Sequence, residues 1–140
     1  MNTINRFDAL IEKFNLTSLE KSAWTHDAHL IVALWHIKNL EFADAICQLR
    51  SKIILLNHFH GTSNTKETGY HETLTVFWAK TIAAYIKKHP TFSFEETVDS
   101  FLNSSFAIRE LPFEFYKREE ILSSDYRAVY HESTLKKLKE

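Results

Sequence analysis

Apolar side chains recur at helical spacing along most of the chain. Phe7, Leu10, Ile11 and Phe14 share one face of a first helix predicted over about residues 4–14. Thr17 and Glu20 have the spacing of a capping box and predict a short helical turn. Thr25 is predicted to cap a helix running to Lys38 or Asn39. Leu30, Ile31, Val32, Ala33, Leu34 and Trp35 surround that helix with apolar surface, so it should be central. Asn39 is predicted to cap the next helix, over about 40–59, where Phe42, Ile46, Leu49, Ile53 and Leu56 form one stripe. Gly61 to Thr68 reads as a loop. A long helix follows over about 70–88 and stops before His89-Pro90, because the residue preceding proline avoids the helical region. Ser93 and Glu96 form a second capping-box pair, opening a helix to about Leu102. Ser104 to Leu111 and Lys117 to Tyr130 read as helical, broken at Pro112, and residues 134–140 as a frayed tail. No segment carries a convincing strand signal. The expected fold is all-α: a single-domain helical bundle of four main helices plus short extra ones.

Composition narrows the function classes. The 140 residues suit one domain, and seventeen basic against eighteen acidic residues lack the basic footprint of a typical nucleic-acid binder. Cys47 is the single cysteine, so neither an intrachain disulfide nor a cysteine-rich zinc site can form. Met1 to Phe14 lacks the apolar block of a signal peptide, and the run Leu30–Trp35 is far too short to span a membrane. These features predict a soluble, cytoplasmic protein whose partner is a small molecule rather than nucleic acid or membrane. The outlier is histidine, with eight copies.

Topology gathers the histidines. A short connection at Asn39 makes helices 25–39 and 40–59 antiparallel neighbours, and the 60–69 loop allows a second antiparallel return. The starts of helices 25–39 and 70–88 then meet the end of helix 40–59. His26, Asp27, His29, His58, His60, Tyr70, His71 and Glu72 all fall at that end. His71 heads the row Leu74, Trp78, Ile82 and Tyr85; Glu72 heads Val76, Ala79, Ala83 and Ile86; Thr73, Lys80 and Lys87 form the polar row. His26 heads Leu30, Ala33 and Ile37. Imidazoles and a carboxylate converging from several helices are metal-binding chemistry. The expected ligands of one divalent transition metal, Zn or Fe, are His26, His29, His71 and Glu72, with His60 in reserve and Asp27 orienting a histidine. Glu72 and His71 are the expected catalytic pair of a metal-dependent hydrolase or oxidoreductase, and Tyr70, Trp24, His60 and Trp78 the substrate contacts.

Two alternatives stand beside this one. Two helix N-termini carry partial positive charge, which repels a cation, attracts an anion and keeps histidine neutral. The same residues then form a metal-free acid–base site for an anionic small molecule. A non-enzymatic interaction module, including a homodimer, is the other. Its motive is the aromatic and basic stretch Phe113, Phe115, Tyr116, Lys117 and Arg118, downstream of Arg109 and Glu110. That stretch could equally cover a pocket, clamp a carboxylate or phosphate, or pack as a loop onto the bundle.

Trp24-Thr25-His26-Asp27-Ala28-His29-Leu30 and Gly69-Tyr70-His71-Glu72-Thr73 resemble a group of small, uncharacterised bacterial proteins with W-T-H-x-A-H-L and G-Y-H-E-T motifs. The resemblance runs from about Trp24 to Arg127. It implies a bacterial source and marks these residues, and it implies no particular activity.

Overall fold

The computed structural model describes residues 6–138 and is all-α, with no strand among those residues. Seven helices follow in order: α1 Asp8–Asn15, α2 His26–Asn39, α3 Phe42–Phe59, α4 Glu72–Lys88, α5 Phe94–Leu102, α6 Arg118–Ile121 and α7 Ser124–Ala128. Single 3-10 turns lie at Lys21–Ala23, Ser105–Ala107 and Leu111–Glu114. The expected start of the first helix at residue 4, and the last two residues of the tail, lie outside the described residues.

Helix α2 is the central element, as its unbroken apolar run predicts. It packs on α1, α3, α4 and α5, and Leu30, Ile31, Val32, Ala33 and Leu34 are all buried. Thr25 caps it, its Oγ1 accepting the Ala28 N–H at 3.1 Å. Ser93 and Glu96 close both bonds of the predicted capping box on α5. Three local expectations fail. Thr17 ends α1 in the left-handed region (φ 56°) instead of opening a turn with Glu20. Glu41, not Asn39, occupies the cap position of α3, because the Asn39 amide turns back to the Trp35 carbonyl. Phe42, at the very start of α3, is 38% exposed, while Ala45, Ile46, Leu49 and Leu56 carry the buried stripe.

The C-terminal third departs most from expectation. Neither 104–111 nor 117–130 is one helix. Serine hydroxyls at Ser104 and Ser123 accept the N–H groups of Phe106 and Tyr126, and Pro112 sits in the first turn of a 3-10 segment. Such side-chain bonds compete with helix propagation, so the chain breaks into short turns. These turns wrap α4 and build a second apolar cluster of Phe77, Leu111, Phe115, Tyr116 and Ile121. Thr73, on the predicted polar row of α4, is therefore fully buried; its hydroxyl donates to the Val129 carbonyl and accepts the His131 N–H. The described part of the tail is tied down, with the Leu135 N–H on the Phe115 carbonyl at 3.0 Å and Leu138 against the second cluster.

His36, to which the pattern assigns no role, is completely buried. Its Nδ1–H donates to the Val32 carbonyl at 2.7 Å and its Nε2 accepts from the Lys52 ammonium at 2.9 Å. Lys52 also donates to Asn15 Oδ1, so one network joins α1, α2 and α3. Burial, aided by the Lys52 charge, holds the His36 pKa down to about 4 from 6.5. The native state thus binds fewer protons than the unfolded chain between those values. The stability this contributes is complete above about pH 6.5 and is lost as pH falls toward 4. At about 1.4 kcal/mol per decade, that loss amounts to roughly 3 kcal/mol. Urea unfolding across this range should show it, with the His36 ring staying neutral by NMR down to about pH 4. A flat stability profile would contradict the network.

Candidate functional site

A cavity of about 930 Å³ lies where the starts of α2 and α4 meet the second half of α3. Helices α2, α3 and α4 supply an apolar floor through Leu30, Ala33, Leu49, Ile53, Leu74 and Trp78. The C-terminal segment covers it with Arg109, Pro112, Phe113, Arg118, Ile121 and Arg127. The convergence inferred from topology is present: His26, His29 and His71 all line this space, with Trp24, Tyr70 and Trp78. His60 and Glu72 do not line it. His60 Nε2–H donates to the Leu19 carbonyl at 2.7 Å, and His58 and Asp27 are exposed.

Ring by ring, the nitrogens have different fates. His71 is the cap of α4: its Nδ1 accepts the Leu74 N–H at 3.1 Å, while its Nε2–H donates to the Ile121 carbonyl at 2.6 Å. These bonds define one neutral tautomer with neither nitrogen open, and burial pushes its pKa down. His26 Nε2–H donates to the Ala107 carbonyl at 2.9 Å. His29 Nδ1–H donates to the Thr25 carbonyl at 2.7 Å, one turn back in its own helix. Its Nε2 has no hydrogen-bond partner among the described residues and keeps a lone pair. The ring lies on the Trp24 indole, with centroids 3.6 Å apart. Burial, reinforced by the charges of His26 and Arg109, lowers the His29 pKa to about 4 against the raising effect of the Thr25 bond.

Glu72 is an ion-pair partner and not an open base. Both its oxygens accept from Arg50, at 2.9 and 2.6 Å, and Oε1 also accepts the Tyr70 hydroxyl at 2.6 Å. The Arg50 bonds hold its carboxyl below the usual range. This pair staples α3 to α4 and offsets the positive end of α4.

The expected metal ligands therefore do not fit a metal ion. His71 has no free lone pair, both Glu72 oxygens face Arg50, and only His29 Nε2 is open beside the less constrained His26 Nδ1. Among the described residues, no group of three or more His, Cys, Asp or Glu side chains is arranged to hold one. Helix starts need acceptors for their N–H groups, and His71 and Glu72 answer that need.

The missed signal is arginine. Of five arginines in the chain, Arg6 and Arg50 pair with Asp99 and Glu72. Arg109, Arg118 and Arg127 form no ion pair among the described residues, and all three line the cavity. Arg118 lies over the Phe113 ring at 4.6 Å. Arg127 donates to the carbonyls of Gly69 and Glu67, both at 3.1 Å, and its buried Nε–H finds no acceptor among the described residues. Glu110 is the single carboxylate on the lining and is exposed. The pattern named Arg118 within a pocket cover or clamp and Arg109 only as preceding the break at Pro112; nothing in it marked Arg127.

The aromatic stretch that motivated an interaction surface faces inward, with Phe115 and Tyr116 buried. No described helix is long and apolar enough to cross a membrane. No protein-family model matches the chain, and neither a curated protein nor a solved structure does.

Gly69 shapes the cavity's edge. At φ +91°, a Cβ there would lie 2.3 Å from Asn64 Oδ1 and 2.8 Å from Asn64 Cα. Gly61 (φ +76°) faces open space. Gly69→Ala should lower unfolding free energy by roughly 2 to 4 kcal/mol, left-handed strain plus overpacking. Gly61→Ala should cost about 1 to 2 kcal/mol, the strain alone. Denaturant unfolding compares the two, and equal costs would contradict the close approach at Asn64.

Proposed function

We propose that this cavity binds an anionic small molecule and that the chain acts on it by metal-free proton transfer, with His29 Nε2 as the base. The observation that carries the reading is the set of three arginines without carboxylate partners around one apolar-floored cavity. Guanidinium groups without carboxylate partners beside an apolar floor favour a carboxylate or phosphate, which they can grip through paired N–H donors. The starts of α2 and α4 add positive potential there.

His29 suits the base role by geometry. The Thr25 carbonyl fixes its proton on Nδ1, which leaves Nε2 as the acceptor of a ring that lines the cavity. A bound anion offsets the nearby positive charges and raises the ring's proton affinity. A proton leaving the substrate for Nε2 forms an imidazolium that Thr25 continues to orient, and the same nitrogen returns the proton to product or solvent.

Calorimetric titration with 2-naphthoate and the isosteric, uncharged 2-naphthamide tests the reading. The acid should bind at least about tenfold tighter, the weight of one charge-assisted bond. The double variant R109A/R118A, which removes two exposed side chains, should weaken binding of the acid more than that of the amide. NMR titration should show the His29 pKa rising when naphthoate binds. Equal affinities would sink the anion site, and an unmoved His29 titration with naphthoate bound would sink the base.

A further inference from the structure

Of the three cavity arginines, Arg118 lies over the Phe113 ring, and the other two stand at two poles. At the start of α2, Arg109 lines the cavity with His26 and His29, two residues after Ala107, whose carbonyl accepts from His26 Nε2–H at 2.9 Å. At the start of α4, the Arg127 charge bears on the His71 ring, and Arg127 grips the Gly69 carbonyl just ahead of that helix. Each pole combines one arginine lacking an ion pair with the positive end of a long helix, of 14 residues for α2 and 17 for α4. Leu30, Leu74 and Trp78 lie on the apolar floor of the same cavity. Among the described residues no acid pairs with either arginine: Asp27 and Glu72 do not line the cavity, Glu72 is bound to Arg50, and Glu110 sits exposed at the rim.

A single carboxylate can neutralise one pole while the other cation stays unpaired in the same cavity. Two acidic groups at opposite ends of an apolar body neutralise both and cover the floor. Building on the anion-binding reading, we infer that the ligand is an organic dianion, with one acidic group meeting Arg109 at the start of α2 and the other meeting Arg127 at the start of α4. At the second pole the buried Arg127 Nε–H lacks an acceptor among the described residues. His29 belongs to the first pole, so the proton it takes comes from a position close to that acidic group.

The test compares linear dicarboxylates, from hexanedioate to dodecanedioate, with monocarboxylates of equal length by calorimetric titration of the native chain and of R109A. Arg109 is exposed and makes no hydrogen bond or ion pair among the described residues, so its removal should leave the fold intact. At the best length the diacid should bind at least about tenfold tighter than its monoacid. In R109A that advantage should shrink to less than about threefold, the monoacid still being held at the Arg127 pole. No diacid advantage at any length, or one that R109A leaves whole, overturns the inference; if naphthoate still outbinds naphthamide, the anion site itself stands. If naphthoate and naphthamide bind equally, both readings fall.

Discussion

Two helices that begin at the same end of a bundle set their unpaired N–H groups and positive poles side by side. The tight connection between α2 and α3 and the return through the 60–71 loop bring the start of α4 beside the start of α2. The first turns of both must be satisfied, and the residues that do so are those most conspicuous in the sequence. Thr25 caps α2, His71 caps α4, and Glu72 with Arg50 balances the charge. What these groups do not use is left for a ligand: the outward nitrogen of His29 and the arginines of the covering segment.

The division between legible and illegible follows from how local the physics is. The five longest helices, the Ser93 box and the meeting of three histidines were readable because apolar spacing and connection length are written along the chain. The role of each histidine was not. Whether an imidazole ligates, caps or accepts depends on which carbonyl lies opposite it. For His26 and His71 those carbonyls belong to Ala107 and Ile121, far along the chain. Glu72 carries no local mark of Arg50, which sits one helix earlier. Arg127 was invisible for the same reason: its partners, Glu67 and Gly69, come from the loop before α4. The serine-broken turns of residues 104–124 show the reverse error, where periodicity suggested helices that side-chain hydroxyls interrupt.

The floor and its cover come from different parts of the chain. Residues 24–78 supply the apolar surface and the neutral imidazole, and residues 109–127 supply the guanidinium groups. The two parts are joined through His26 to Ala107, His71 to Ile121 and Arg127 to Gly69. Histidines that resemble ligands thus hold the cover in place over the floor.

The Trp24 ring is sandwiched between Phe14 of α1 and His29 of α2, at 5.2 and 3.6 Å. A protonated imidazole at such a distance withdraws electron density from an excited indole and quenches its emission. The molecule therefore carries its own optical gauge of the charge on that ring, one that brightens or dims without any label attached.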